Sequence, residues 1–201
     1  MNRQLGLGLI LAVAAVGRLL GSSQGYPDFY GHVDEIGVAA SIWNFFRDAS
    51  LRPTEFTYPA LYSYIVASVV AGTGIVAAGS FPGAGFLDRL TLMSYTDPAW
   101  SALMGRGVSI AADMVHVVVI HRLSRRVGAG RWAWFGALAY AVAIVPTRQA
   151  HMALPDATVA LLSTLVVYRA WMILEGEGEW RDYLVAGAVC GLVVATKYNG
   201  A

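Results

Sequence analysis

The chain has 201 residues, of which 57% are apolar and 13% charged, with a formal net charge of +1, and its mean hydropathy is +0.55. A water-soluble domain carries about 25% charged residues, so this composition excludes an ordinary globular domain and points to a membrane protein. The charge balance names no partner. There is no basic, aromatic-interleaved patch, so nucleic acid is not expected as one.

In chain order, apolar segments fall at residues 4–20, 58–80, 101–121, 132–150, 157–174 and 183–200. Crossing the hydrocarbon takes roughly 20 helical residues. The first segment, "LGLGLILAVAAVGRLLG", follows Arg3. It reads as an uncleaved span and not as a signal peptide, because several spans follow it. The loop "HRLSRRVGAGR" holds Arg122, Arg125, Arg126 and Arg131. Short basic loops stay cytoplasmic. With the N-terminus on the same side, 4–20 leads out and 101–121 leads back. Residues 58–80 then make no net crossing and are expected as a re-entrant or surface-lying helix, although they are the cleanest apolar run by hydropathy. Residues 21–100 become one long outer segment, and 132–150 returns to that face. The single cysteine, Cys190, lies in an apolar run. It allows no internal disulfide and is expected as a buried packing residue.

The residues able to do chemistry flank these spans. Asp34 and Glu35 open the helical pattern "IGVAASIWNFF". There they either complement the positive end of a helix or supply a general base. Asp156 follows Pro155 at the head of "ATVALLSTLVVYRAW", with the same two readings. His151 is a metal ligand, a phosphate contact or an interfacial filler. Arg106 binds a lipid phosphate or snorkels. Asp113 and His116, three residues apart on one helical face, read as a structural polar pair. Lys197, in "ATKYNG", calls for an anionic partner. Arg52 is loop-exposed. No phosphate-binding glycine loop, zinc spacing or nucleophile elbow is present.

The order of these parts resembles the N-terminal part of polyprenyl-phosphate-dependent, GT-C-type glycosyltransferases, the group of the protein O-mannosyltransferases and the aminoarabinose transferase of lipid A. The resemblance rests on "GHVDE", "LRPTEFTYPALYSYIVA", "GRGVSIAADMVHVVVIHRLSRRVGAG", "PTRQAHMALPDATVALL" and "GLVVATKYNG". They follow one another in that group's order over nearly the whole chain. It implies an all-α, polytopic transmembrane helix bundle with juxtamembrane helices in a long first outer loop. Residues 1–201 would be the N-terminal part of the catalytic domain. The implied enzyme moves a sugar from a polyprenyl-phosphate donor to a lipid, glycan or protein acceptor. It would work in the cell membrane, with the N-terminus cytoplasmic and the active site extracytoplasmic.

In that resemblance Asp34, Glu35 and Asp156 are the catalytic acids. Arg52, Tyr58, Arg106, His151 and Lys197 are the candidates for contacting the lipid phosphate or the sugar. Where relatives often carry Lys-Pro-Pro or His-Pro-Pro, this chain has Thr57 and Tyr58 before Pro59, and Lys197, Arg106 and Arg52 are the candidates to supply the missing charge. Ile36 and Gly37 follow the acid pair where the aminoarabinose branch has a basic residue, which speaks against that substrate. No cofactor is expected. A divalent metal shared by Asp34 and Asp156 is the alternative, with few hard ligands to hold it. The competing function is a transporter or channel subunit whose polar path runs past Asp113, His116 and Lys197.

Overall fold

The computed structural model describes residues 3–26, 32–53, 58–76, 83–176 and 178–198. Among them the chain is helical throughout: α1 (Arg3–Leu19), α2 (Asp34–Arg47), α3 (Leu61–Val76), α4 (Phe86–Thr96), α5 (Pro98–Ser124), α6 (Ala133–Ala141), α7 (Ile144–Ala150), α8 (Asp156–Leu174) and α9 (Trp180–Thr196). The protein is the all-α membrane helix bundle that its composition implies. α5, with 27 residues, and α8, with 19, are long and apolar enough to cross a membrane. In the most apolar stretch of α8 only 11% of residues are buried by the rest of the chain. Val167 and Leu174 of α8 and Leu184 and Val185 of α9 lie exposed. A surface so apolar is one for lipid or further protein, not for water. Thr57 and the Pro/Gly turn expected after 58–80 lie outside the described residues, apart from the turn's last glycines.

Local chemistry fixes the helix ends. Asp97 caps α5, accepting the Trp100 N–H at 3.2 Å, and Pro98 fills the first helical position, where its missing N–H is no loss. The connection after α5 is a tight reversal. Gly128, at φ 87°, takes a backbone conformation that a side chain would oppose. Glu179 and Asp182 cap α9 reciprocally. Across the α8–α9 hairpin Arg169 pairs with Asp182 at 2.7 Å, and Arg126 of the basic turn reaches Glu175 at 3.3 Å.

The span expected over 132–150 is two helices. α6 ends at Ala141, Ala143 is extended at ψ 133°, and α7 begins at Ile144. Pro146 is the cause: it has no N–H to give the Val142 carbonyl, and its ring would collide with that oxygen in a continuous helix. Cys190 is exposed, not buried as expected, because it lies on a face of α9 that no other described element covers.

α5 is the axis. It packs against α1, α2, α3, α4, α6, α7 and α8. On one side Ile10 and Ala14 of α1 meet Val117 of α5 and Ala137 and Ala141 of α6. On the other, α2, α3 and α4 form a second core from Val38, Ile42, Phe45, Tyr62, Val66 and Leu90. The described part of segment 58–80 carries α3, Leu61–Val76.

Candidate functional site

α2 and α8 each begin with an acid, and the structure joins the two through two intermediates. The Tyr58 hydroxyl, in the turn before α3, donates to Asp34 Oδ2 at 3.0 Å. Lys197 Nζ lies 5.4 Å from the centroid of the Tyr58 ring, within cation–π range. The same ammonium donates to Asp156 Oδ1 at 2.7 Å. Asp34, Tyr58, Lys197 and Asp156 therefore form one connected cluster drawn from four separate segments. Asp34 is partly open, with a side chain 38% exposed, and His32 Nδ1 stands 3.7 Å from its Oδ2. Burial of Tyr58, its hydrogen bond to Asp34 and the charges of Asp34 and Asp156 push its hydroxyl up to about 12. It stays a donor at any ordinary pH. Beside the cluster runs a groove of about 350 Å³ whose lining includes Asp34, Gly37, Ser41, Phe45, Tyr58 and Ser63.

Glu35 and Arg106 need correcting. The first was expected as a catalytic acid and the second as a lipid-phosphate contact or a snorkelling side chain. They are partners, both within the protein: Glu35 is 0% exposed and Arg106 2%. The Arg106 guanidinium grips the carboxylate through Nε at 2.8 Å and Nη2 at 2.9 Å. It also donates to the Ser22 and Gln24 carbonyls at 2.9 and 2.7 Å. Glu35 accepts the His32 N–H at 3.0 Å and the Ala153 N–H at 2.7 Å. Burial alone would push the Glu35 carboxyl up. The hydrogen bonds from Arg106, Ala153 and His32, with the Arg106 charge, outweigh it and hold the group below the ordinary carboxylate range. With its oxygens so occupied, Glu35 has no room to take a substrate proton. The pair's bonds tie the loop after α1, the start of α2, α5 and the turn before α8 together.

That turn reaches α5 because residue 105 is glycine: a Cβ there would stand 2.6 Å from the Ala153 Cβ. Three residues beyond Ala153 comes Asp156. His151 is held by the Gly17 carbonyl at 3.1 Å, and its ring occupies the space a Cβ on Gly21 would need. It packs on the end of α1 and away from the cluster's hydrogen bonds. Arg52 is exposed beside Pro53, which lines the groove. Among the described residues no three His, Cys, Asp or Glu side chains gather as metal ligands.

A second polar network lies in the bundle. Asp113 accepts hydrogen bonds from Arg18 Nε and from the Tyr140 hydroxyl. Tyr140 also contacts His116 Nδ1 at 2.8 Å, and His116 Nε2 meets Thr164 at 2.7 Å. The Asp113–His116 pair is thus extended by residues that sequence reasoning missed. Arg18 had a visible signal, a cation inside an apolar segment, which calls for a buried partner. Tyr140 and Thr164 had none, since their hydroxyls look like any others in an apolar run. These groups bond one another, and none of them lines the groove beside Asp34.

A bundle of apolar helices with an acidic and cationic cluster beside a groove defines a class, a membrane protein with a polar site at the ends of its helices. The family model described as dolichyl-phosphate-mannose-protein mannosyltransferase matches residues 82–201, more than half of the chain, and the chain belongs to that family. It is a membrane glycosyltransferase of the GT-C type. The match includes Arg106, His151, Asp156 and Lys197, while Asp34, Glu35, Arg52 and Tyr58 precede it. No curated protein and no solved structure matches the chain.

Proposed function

We propose that this chain transfers a sugar from a polyprenyl-phosphate donor to a hydroxyl acceptor at the extracytoplasmic membrane face, with Asp34 as general base. The acceptor hydroxyl takes the place of the Tyr58 hydroxyl on Asp34. Asp34 removes its proton as the oxygen attacks the anomeric carbon. The bond from that carbon to the phosphate oxygen breaks, its electron pair stays on the phosphate, and the configuration inverts. Lys197, turning from Asp156 to the departing phosphate, offsets the developing charge. Asp156 holds the ammonium in place until donor arrives. Arg106 is neutralised by Glu35, so of the cations considered Lys197 is the one within the cluster.

The observation that supports this reading is the contact chain from Asp34 through Tyr58 and Lys197 to Asp156. A carboxylate and an ammonium stand on two sides of one aromatic ring, at the edge of a groove, which supports a reading with Asp34 as base and Lys197 as the phosphate's cation. The test is transfer of sugar from a polyprenyl-phosphate donor by the full-length protein in membranes. Asp34→Asn keeps the shape and removes the base, and transfer should fall by about 10²–10⁴-fold. Equal rates for wild type and Asp34→Asn would remove Asp34 from the mechanism.

A further inference from the structure

Tyr58 has two partners at once. Its hydroxyl donates to Asp34 Oδ2 at 3.0 Å, and Lys197 Nζ lies 5.4 Å from its ring centroid. A phenol is rigid, so the oxygen cannot leave Asp34 unless the ring moves, and the ring cannot swing without changing its place under the ammonium. Pro59 follows, and a residue before proline is steered to extended backbone. The hydroxyl therefore leaves Asp34 through side-chain rotation and not through a backbone change. Burial, the hydrogen bond to Asp34 and the charges of Asp34 and Asp156 keep the phenol protonated, so it stays a donor. Lys197 is the more movable partner. It stands past the end of α9 in extended backbone, at φ −157° and ψ 132°, with a side chain 21% exposed. Its four-carbon stem lets the ammonium turn from one anion to another.

We infer that Tyr58 is a gate between base and cation: it covers Asp34 while Lys197 stands over its ring, and it uncovers Asp34 when Lys197 turns to a lipid phosphate. This rests on the proposed function, which gives Lys197 to the donor phosphate and Asp34 to the acceptor hydroxyl. The attraction between ammonium and ring face is lost when the cation leaves. The ring is then held by its hydroxyl alone. An acceptor hydroxyl competing for the same carboxylate oxygen meets a weaker rival after the donor has bound than before. The donor is thus favoured to bind first and the acceptor second. The coupling is reciprocal, so a hydroxyl that displaces Tyr58 from Asp34 also strengthens phosphate binding at Lys197. Tyr58 acts through Asp34 and Lys197 and is a positioning residue.

The test reads the Asp34 carboxyl directly, in membranes holding the full-length protein. A water-soluble carbodiimide with glycine methyl ester converts an open carboxyl to an amide, and mass spectrometry gives the rate at residue 34. Rates are read on molecules in which Glu35, buried and bonded to Arg106, stays unmodified. The probe is polyprenyl phosphate without sugar. In wild type it should raise the rate at Asp34 about two- to fivefold. Tyr58→Phe keeps the ring and removes the hydroxyl. Its rate should start about tenfold above wild type and should not respond to the lipid. Lys197→Met should raise the rate about as much as the lipid does in wild type, and the lipid should add nothing further. A Tyr58→Phe rate equal to wild type overturns the inference, as does a wild type that ignores the lipid. An equal lipid response in wild type and Tyr58→Phe also overturns it, because the phosphate would then act on Asp34 by its charge alone. Sugar transfer is measured on the same preparations. The expected pattern without transfer by wild type keeps the gate and counts against the proposed reaction. Transfer by wild type without the pattern keeps the reaction and removes the gate.

Discussion

α5 carries two buried ion pairs, at Arg106 and Asp113, seven positions and about 10 Å apart along one helix. The two do different work. Arg106 faces two backbone carbonyls of the loop after α1 and the Glu35 carboxylate in the first turn of α2, beside Asp34, and Glu35 in turn holds the turn that leads to Asp156. Asp113 faces Arg18, which also donates to the Ala141 carbonyl at 2.8 Å where α6 breaks off. The lower pair ties helices and satisfies a broken helix end, whereas the upper pair ties the segments that bear the site. They also differ in completeness. Glu35 holds four donated hydrogen bonds, while Arg18 Nη2 is buried with no partner among the described residues. A buried charge that is fully bonded in a loop region keeps geometry; one left partly unbonded in a bundle is a weaker device.

The sharpest way to separate the pairs is to remove each cation. Arg106→Met leaves Glu35 as a buried carboxylate without its charge partner and should lower stability by about 3–5 kcal/mol. Donor transfer per folded molecule should fall with it. Arg18→Met leaves Asp113 as a buried carboxylate bonded to Tyr140 and should lower stability by a similar amount, about 3–5 kcal/mol, with transfer per folded molecule kept. Thermal unfolding in detergent and transfer normalised to folded protein check both. If Arg18→Met lost more activity per folded molecule than Arg106→Met, the division between them would be wrong.

A smaller perturbation acts on packing beneath the upper pair. Gly105→Ala would set a methyl group 2.6 Å from the Ala153 Cβ. Overpacking of this kind lowers stability by about 1–3 kcal/mol. The displaced turn should move Asp156 and Lys197 and raise the donor KM more than it changes kcat. A Gly105→Ala protein with wild-type KM would show that the turn does not set the site.

The smallest effect is in pH. The folded-state pKa of Glu35 is lowered from 4.5. Its pair therefore contributes stability that is fully present above pH 4.5 and is lost as pH falls through the depressed value. Unfolding midpoints should drop below about pH 4.5. In Glu35→Gln that part of the acid dependence should flatten. An unchanged acid limb in the variant would mean other carboxylates dominate.

Much of this was readable in the sequence. Apolar runs of near-spanning length placed the helices at 4–20, 101–121, 157–174 and 183–200, and the acids at the starts of α2 and α8 stand where helix dipoles favour them. The break at Val142–Ala143 was hidden because the apolar run continues through it, and Pro146 was the one sign. The pairing of Glu35 with Arg106 was not legible, because 71 residues separate them and adjacency to Asp34 made both acids look alike. Only the direction of each side chain distinguishes the acid that faces the groove from the acid that faces α5. Tyr58 looked like the loss of a cation relative to relatives, and the structure places it between an acid and a lysine.

The account stands on Asp34 and Asp156 bordering one site. Single cysteines at 34 and 156 in a Cys190→Ser background, in native membranes, test this with a membrane-impermeant thiol reagent and a short bismaleimide. Both positions should label from the same, outer side, and the double variant should cross-link within one chain. Labelling from opposite sides, or no cross-link where both positions label, would contradict it.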